Sequence, residues 1–192
     1  MHPPTPLLFL NKSPIIDMQK VKKSLGLILK KYGFSSYKNR WFYTSSSVQI
    51  ILEFEKSKGV DVYSLRIGFW FLDLASQPEI VPHAYECHIV SDLRYLVKNA
   101  EVLENQFIYI EHNSDYSIQT ETRIDIVNKV GNPIIENLLA RYSTMDELRK
   151  RYAEHRFKFA LVKAEVRNYF GDKEWVAYVR SPSEKITIIV PE

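Results

Sequence analysis

His83, Cys87 and His88 lie close together in the sequence and have side chains that can ligate a metal ion. Zinc sites need three or four protein ligands at characteristic spacings. Cys87 and His88 are adjacent, and adjacent residues of an extended chain point to opposite sides. We therefore predict neither a metal site nor a cofactor, and we interpret the segment as holding a buried thiol and a hydrogen-bonded histidine.

A second set of residues could bind a ligand or a partner on one face of a predicted sheet: Arg40, Gln49, Glu53, Arg66 and Trp70. The predicted pairing places Arg40 and Arg66 on either side of Ile51, one row from Glu53, where cross-strand ion pairs can form. With His83 or His88 such a cluster could form an enzyme site. Exposed ion pairs contribute at most about 1 kcal/mol and are common without function, so catalysis is kept as an alternative.

A third set is basic and lies on the first predicted helix: Lys20, Lys23, Lys30 and Lys31. Lysines in such a cluster can neutralise phosphates, and aromatic side chains nearby could stack on bases. The same pattern is typical of the solvated face of a helix that covers a core. Binding of nucleic acid or another anionic ligand is therefore a second alternative.

The composition of the 192 residues is that of a globular protein, with 45% hydrophobic and 26% charged residues. A net charge of +3 predicts neither a nucleic-acid-binding nor a membrane-binding molecule as a whole. The single cysteine cannot form an internal disulfide, which favours the cytoplasm. Residues 1–12 have too short an apolar run for a membrane span, so we predict a flexible leader followed by a single domain over residues 13–192.

The elements that would position these residues follow from periodicity. Ser13 and Pro14 are typical of a helix start, and Gly33 can end that helix in a left-handed conformation. From about residue 37 to 73 the period changes to two, which predicts a three-stranded antiparallel meander with turns at 44–47 and 57–60. The fold class is therefore α+β.

Pairing Phe54 with Tyr63 and Leu52 with Leu65 places apolar side chains opposite one another, and pairing Trp41 with Ile50 extends this core face. The opposite face carries the charged set and Trp70. Because a shift by one residue would reverse both faces, the pairing constrains the whole sheet. A tryptophan on a solvated face is unusual, so we expect a helix or a ligand over its end.

The rest of the chain is predicted to be mainly helical. We expect a helix after Ser91 or Asp92, a strand over residues 106–111 and a long helix over residues 122–141. Thr144 and Glu147 form a capping box that predicts a helix extending towards Phe170. These elements divide the predicted domain into residues 13–112, 120–171 and 172–192; residues 172–180 fit neither period, and EKITIIV is typical of an edge strand.

Several strings, in this order, resemble the bacterial family known as domain of unknown function 4304. They are LKKYGF at 29–34, WFY at 41–43, EKSKG at 55–59, RIGFWF at 66–71, CHI at 87–89 and PIIENLLARYSTMDELRKRY at 133–152. The resemblance covers about residues 21–177. It implies a mixed α and β fold in a bacterial cytoplasm, and it carries no functional residue over to this chain.

We favour a non-catalytic protein-binding module over the two alternatives. The reasons are a half-apolar sheet face, a terminal edge strand and the lack of a catalytic motif. Immunity proteins, which neutralise a bacterial toxin by binding it, are one class of this size. The expected partner is a protein, such as a toxin, rather than nucleic acid or a membrane, and the sequence does not indicate an oligomeric state.

Overall fold

The computed structural model describes residues 17–56, 63–75, 81–107 and 120–171. Within these ranges the fold is α+β, as the sequence predicts. It contains one antiparallel sheet whose strands lie side by side in chain order: β1 (Ser35–Tyr37), β2 (Arg40–Thr44), β3 (Val48–Lys56), β4 (Tyr63–Phe71), β5 (Ile89–Asp92) and β6 (Leu161–Val162). The predicted three-stranded meander is therefore the centre of a sheet of six.

The first helix, α1 (Met18–Lys31), begins later than Ser13 and Pro14 suggest, and those two residues lie outside the described ranges. Asp17 is its N-cap, because its carboxylate accepts hydrogen bonds from the backbone N–H groups of Gln19 and Lys20. Gly33 follows the helix with a φ of 84°, a left-handed conformation that ends the helix as predicted.

The predicted strand partners are wrong by two residues, whereas the predicted faces are confirmed. Phe54 lies opposite Leu65, and Trp41 lies opposite Leu52. The turn between β2 and β3 is closed by the backbone of Ser45 and Val48, 2.9 Å apart, one residue later than predicted. Moving a hairpin turn by one residue changes the partner by two, and a shift by two leaves every side chain on its own face.

The first face of the sheet packs against α1 and a long helix, α3 (Thr120–Tyr142), to form the main core. α1 and α3 approach closely where a Cβ on Gly131 would lie 2.7 Å from the Cδ1 atom of Ile28. Ser24 on α1 also donates a hydrogen bond of 2.8 Å to the Oδ1 atom of Asn128 on α3. The helices thus cover one side of the sheet and leave the other side for the charged set.

Three shorter helices complete the described fold: α2 (Ala100–Glu104), α4 (Met145–Ala153) and α5 (Ala164–Tyr169). The helix predicted after Asp92 is only a 3-10 turn at Leu93–Tyr95, and the strand predicted at 106–111 begins as a 3-10 turn at Asn105–Phe107. Residues 108–111 of that predicted strand lie outside the described ranges.

The helix predicted to run from Thr144 towards Phe170 is interrupted. The hydroxyl of Thr144 accepts a hydrogen bond from Glu147 N at 3.3 Å, as the capping pattern predicts, but α4 ends at Ala153. His155 then has a φ of 55°, a left-handed conformation that stops a helix. The chain continues through β6 to α5, and the predicted leader, the segment 172–180 and the strand EKITIIV lie outside the described ranges.

Among the described residues, none of the helices combines the length and the apolar character that crossing a membrane requires.

Candidate functional site

The second face of the sheet is covered by an irregular segment, residues 81–88, which contains one 3-10 turn at Ala84–Glu86. Ala84 and Cys87 form a small buried cluster with Ile51 and Val90 of the sheet. The cover lies so close to β4 that a Cβ on Gly68 would be 2.5 Å from the Sγ atom of Cys87. Glycine is therefore required at position 68 for this segment to contact the sheet.

A row of alternating charges crosses this face beside the cover. Arg40 lies opposite Glu53, Glu53 opposite Arg66, and Arg66 opposite Asp92 on four successive strands. Arg66 also pairs with Glu55, with 2.9 Å between its Nη2 atom and the carboxylate, and lies 3.7 Å from Asp92. The sheet register thus places opposite charges on neighbouring strands, where they stabilise one another.

The cover supplies polar partners to the two most buried members of this row. Arg40 donates a hydrogen bond of 2.8 Å to the carbonyl of Val81. The carboxylate of Glu53 accepts one of 2.9 Å from Ala84 N through one oxygen and contacts the Nδ1 atom of His83 at 2.8 Å through the other. Buried charges are stable only with such partners, so these contacts hold the cover against the sheet.

His83 is the exposed end of this network. Its side chain is 40% exposed, whereas that of Glu53 is 9% exposed. A histidine whose Nδ1 atom is held by a buried carboxylate is the arrangement that orients a general base in several classes of enzyme. The carboxylate of Glu53 can therefore orient the ring of His83. The chemical use of this orientation depends on the cavity beside the ring.

Trp70 and His88 form a stacked pair at the other end of the cover, with ring centroids 4.2 Å apart and planes at 22°. The Nδ1 atom of buried His88 accepts a hydrogen bond of 2.8 Å from Phe71 N, so the proton of the neutral ring is on Nε2. Burial is the main cause that lowers the pKa of His88 to about 4; nearby Lys163 acts in the same direction, and Glu165 opposes them. His88 is therefore a neutral structural residue, as its predicted hydrogen-bonded role requires.

Cys87 is a free thiol buried under the cover, which agrees with its interpretation from the sequence. Burial raises the pKa of this thiol far above its ordinary value, so the reactive thiolate does not form near neutral pH. Among the described residues, no group of three or more histidine, cysteine, aspartate and glutamate side chains is placed to hold a metal ion.

Two shallow cavities lie beside the cover and together form what we call the Tyr85 groove. The first, about 260 Å³, is its acidic compartment and is lined by Asn39, Glu53, Phe54, Glu55, His83 and Ala84. The second, about 220 Å³, is its outer compartment and is lined by Val90, Ser91, Asp92, Phe159 and Leu161. Arg66 and Tyr85 line both cavities and separate the two compartments.

The rim of the Tyr85 groove exposes large hydrophobic side chains. Tyr85 is 63% exposed, Phe159 is 64% exposed and Leu161 is 65% exposed. Tyr95 lies next to Phe159, with ring centroids 5.1 Å apart, and is also exposed. A few isolated exposed hydrophobic residues are normal, whereas these four lie close together around one groove.

The predicted binding set is divided by the cover. Arg40, Gln49 and Glu53 are buried, and Trp70 is half-buried against His88. Arg66 and Glu53 are the members that line the Tyr85 groove, and Arg66 is the more exposed of the two. The expected covering of the Trp70 end is found, although a histidine and the residues beside it provide it rather than a helix or a ligand.

Sequence reasoning missed the rim residues Tyr85, Phe159 and Leu161. Their local sequence has no motif, and they meet only because β6 pairs with β5 and the cover crosses β4. One signal was available, since Gly68 interrupts an otherwise bulky strand and such a glycine often marks the close approach of another segment.

The basic set on α1 is partly engaged within the molecule. Lys20 lies 3.7 Å from the carboxylate of Asp17, and Lys31 donates a hydrogen bond of 3.2 Å to Asn132. The neighbouring Lys22 lies over the ring of Tyr63, 3.7 Å from its centroid. These contacts favour the interpretation of α1 as a solvated helix face over that of a phosphate-binding surface.

Comparison with known proteins gives no match: no family model, no curated protein and no solved structure is similar to the chain. The resemblance to domain of unknown function 4304 stays a prediction.

Proposed function

We propose that the chain is a non-catalytic protein-binding module and that the Tyr85 groove is its binding surface. The observation that carries this proposal is the group of exposed Tyr85, Phe159 and Leu161 side chains around Arg66. Tyrosine and arginine are the residue types that contribute most to the energy of protein interfaces. A toxin or another protein fits such a surface, and an immunity-type role is one form of the proposal.

The groove also lies next to an edge of the described sheet. β6 pairs with only Ile89 and Val90 of β5, so in the described part of the chain Ser91 and Asp92 have no strand beside them on that side. Both residues line the outer compartment of the groove. An extended segment of a partner can add to such an edge through backbone hydrogen bonds, while its side chains enter the neighbouring cavities.

Site-specific photocrosslinking tests this function even when the identity of the partner is unknown. A photoreactive phenylalanine is placed at Tyr85, at Phe159 and, as a control, at Leu27, which is exposed on α1 at the other side of the sheet. We expect one and the same protein to attach at positions 85 and 159, and Arg66→Ala to reduce the yield. The purified chain and the attached protein must then bind each other in solution.

Equal attachment at position 27, or none at positions 85 and 159, would contradict the proposal. The thermal unfolding of Arg66→Ala must also be measured to show that the variant is folded, because Arg66 also pairs with Glu55 and Asp92. Exposed ion pairs of this kind contribute about 1 kcal/mol or less, so the fold should persist.

Catalysis is a second candidate because the Glu53–His83 pair borders the acidic compartment. Its test is the hydrolysis of p-nitrophenyl acetate by the purified chain, compared with His83→Asn and with His155→Asn as the control, since His155 lies in an exposed turn. Catalysis by His83 requires a hydrolysis rate well above that of free imidazole. His83→Asn should remove this excess rate, and His155→Asn should not. An equal rate in both variants would exclude this role.

A further inference from the structure

We propose that residues 81–87 of the cover open as a unit while the rest of the fold stays intact, and that a bound partner holds them closed. Tyr85 lies on the cover, whereas Phe159 and Leu161 lie outside it. The link to the partner rests on the proposed protein-binding function, and it adds regulation of the same groove.

The apolar contacts of the cover are separate from the main core. Ala84 and Cys87 pack with Ile51 and Val90 in a small cluster on the second face, whereas the main core lies on the first face of the sheet. Loss of this small cluster therefore exposes no buried residue of the main core. Segments with few buried apolar contacts are the ones that open locally in native proteins.

The cover is attached to the sheet mainly by side chains. Those of Arg40, Glu53 and Lys163 bind backbone groups of the cover at distances of 2.6–2.9 Å. Among the described residues, backbone hydrogen bonds between the cover and the strands occur only at His88, which is therefore the fixed end. When residues 81–87 lift, Arg40 and Glu53 become accessible to water, so hydration replaces the hydrogen bonds that they lose.

The position of Tyr85 couples this movement to binding. Tyr85 lines both compartments of the groove together with Arg66. A partner that contacts both Tyr85 and Phe159 bridges the cover and the part of the chain that does not move. Because such a partner binds the closed form, it must lower the open fraction.

Cys87 can report the opening, because it is the only cysteine in the sequence and its thiol is buried under the cover. Burial raises the pKa of this thiol, so the closed form does not supply the reactive thiolate. In the open form the thiolate attacks the disulfide of dithiobis(nitrobenzoic acid), forms a mixed disulfide and releases coloured nitrothiobenzoate. The observed rate is the open fraction multiplied by the rate measured for the urea-unfolded chain.

We expect the rate in the native protein to exceed the rate that global unfolding allows, and to rise only slightly at low concentrations of urea. A local opening exposes little surface, and the effect of urea scales with the surface exposed. Global unfolding is followed by tryptophan fluorescence in the same solutions. A rate that follows global unfolding at all urea concentrations overturns the inference, and so does a rate equal to that of the unfolded chain.

Two variants of the cover sharpen this test. His83→Asn removes the contact with Glu53 and should raise the native rate about fivefold, which is the effect of one typical hydrogen bond. Gly68→Ala should also raise it, because its Cβ would lie 2.9 Å from the carbonyl oxygen of Ala84 and displace the cover. His155→Asn is the matched control in an exposed turn and should leave the rate unchanged. If neither cover variant reacts faster, the inference is overturned.

Labelling needs no partner, so the opening is tested even if photocrosslinking identifies no partner and the proposed function fails. If a partner is identified, its presence at ten times its dissociation constant should slow the labelling of Cys87 about tenfold, as read from the mass of the chain. Unchanged labelling in the bound chain would overturn the link between the cover and binding. Crosslinks at positions 85 and 159 would then still support the function.

Discussion

Replacing His88 by asparagine is expected to remove much of the dependence of stability on pH below neutrality. The ring of His88 is buried, stacks on Trp70 and accepts a hydrogen bond from Phe71 N through Nδ1. Adding a proton to Nδ1 would place it against that N–H group and would bury a charge. Asparagine can offer its Oδ1 atom to the same N–H group but does not titrate.

The magnitude follows from the pKa of His88, which burial lowers from 6.5 to about 4. Because the folded pKa lies below the unfolded pKa, the unfolded chain binds the proton first as the pH falls. The contribution of neutral His88 to the free energy of unfolding is therefore complete above about pH 6.5, and it is lost progressively as the pH falls to about 4. One pKa unit corresponds to about 1.4 kcal/mol, so the loss amounts to about 3 kcal/mol.

Urea unfolding followed by tryptophan fluorescence at several pH values between about 4 and 7 measures this effect. His88→Asn should be less stable at neutral pH by roughly 1 kcal/mol or more, because the stack with Trp70 is lost, and its stability should then vary less with pH. His155→Asn is the control, since residue 155 is exposed and its left-handed conformation suits asparagine. Parallel curves for the original chain and His88→Asn would refute the reasoning.

Three further outcomes can be checked. Gly68→Ala should destabilise the fold by about 1–3 kcal/mol in denaturant titrations, because its Cβ would meet the Sγ atom of Cys87 at 2.5 Å; combining it with Cys87→Ala should restore part of this loss. Thr144→Ala should cost about 1 kcal/mol and lower the melting temperature, because the hydrogen bond to the start of α4 is lost. Reversing Lys23 and Lys30 to glutamate should leave any weak DNA affinity in a salt titration unchanged; a large loss of a steeply salt-dependent affinity would instead revive the nucleic-acid hypothesis.

The faces of the central strands could be predicted from the sequence, because alternation from Val48 to Phe71 leaves only one arrangement with the apolar residues together. The exact partners could not, because they depend on where each turn closes. Ser45 closes the first turn with both its backbone and its hydroxyl group, whose Oγ atom accepts a hydrogen bond of 3.2 Å from Val48 N. Serines at 45–47 make several turn positions equally compatible with the pattern.

The candidate site was harder to predict than the fold, because its residues come from an irregular cover and a two-residue strand. Neither has a period that sequence reasoning can detect. The charged set was predicted on the correct face, but Glu53 was placed one row away from Arg40 and Arg66, whereas it lies directly between them. The sequence also could not show that backbone groups of residues 81–84 would bury Arg40 and Glu53. Because these contacts hold residues 81–84 over Arg40 and Glu53, the more accessible part of the row is its edge at Arg66, next to Tyr85.

The buried charges also explain why Tyr85 can act as a rigid contact. Arg40 binds the carbonyl of Val81, and Glu53 binds both Ala84 N and the ring of His83, so the cover is attached on the N-terminal side of Tyr85. On the other side, Glu86 contributes its carbonyl to Lys163, and His88 pairs with Phe69 and Phe71. An exposed aromatic side chain on a segment fixed at both ends loses little entropy on binding, so more of its contact energy remains as affinity.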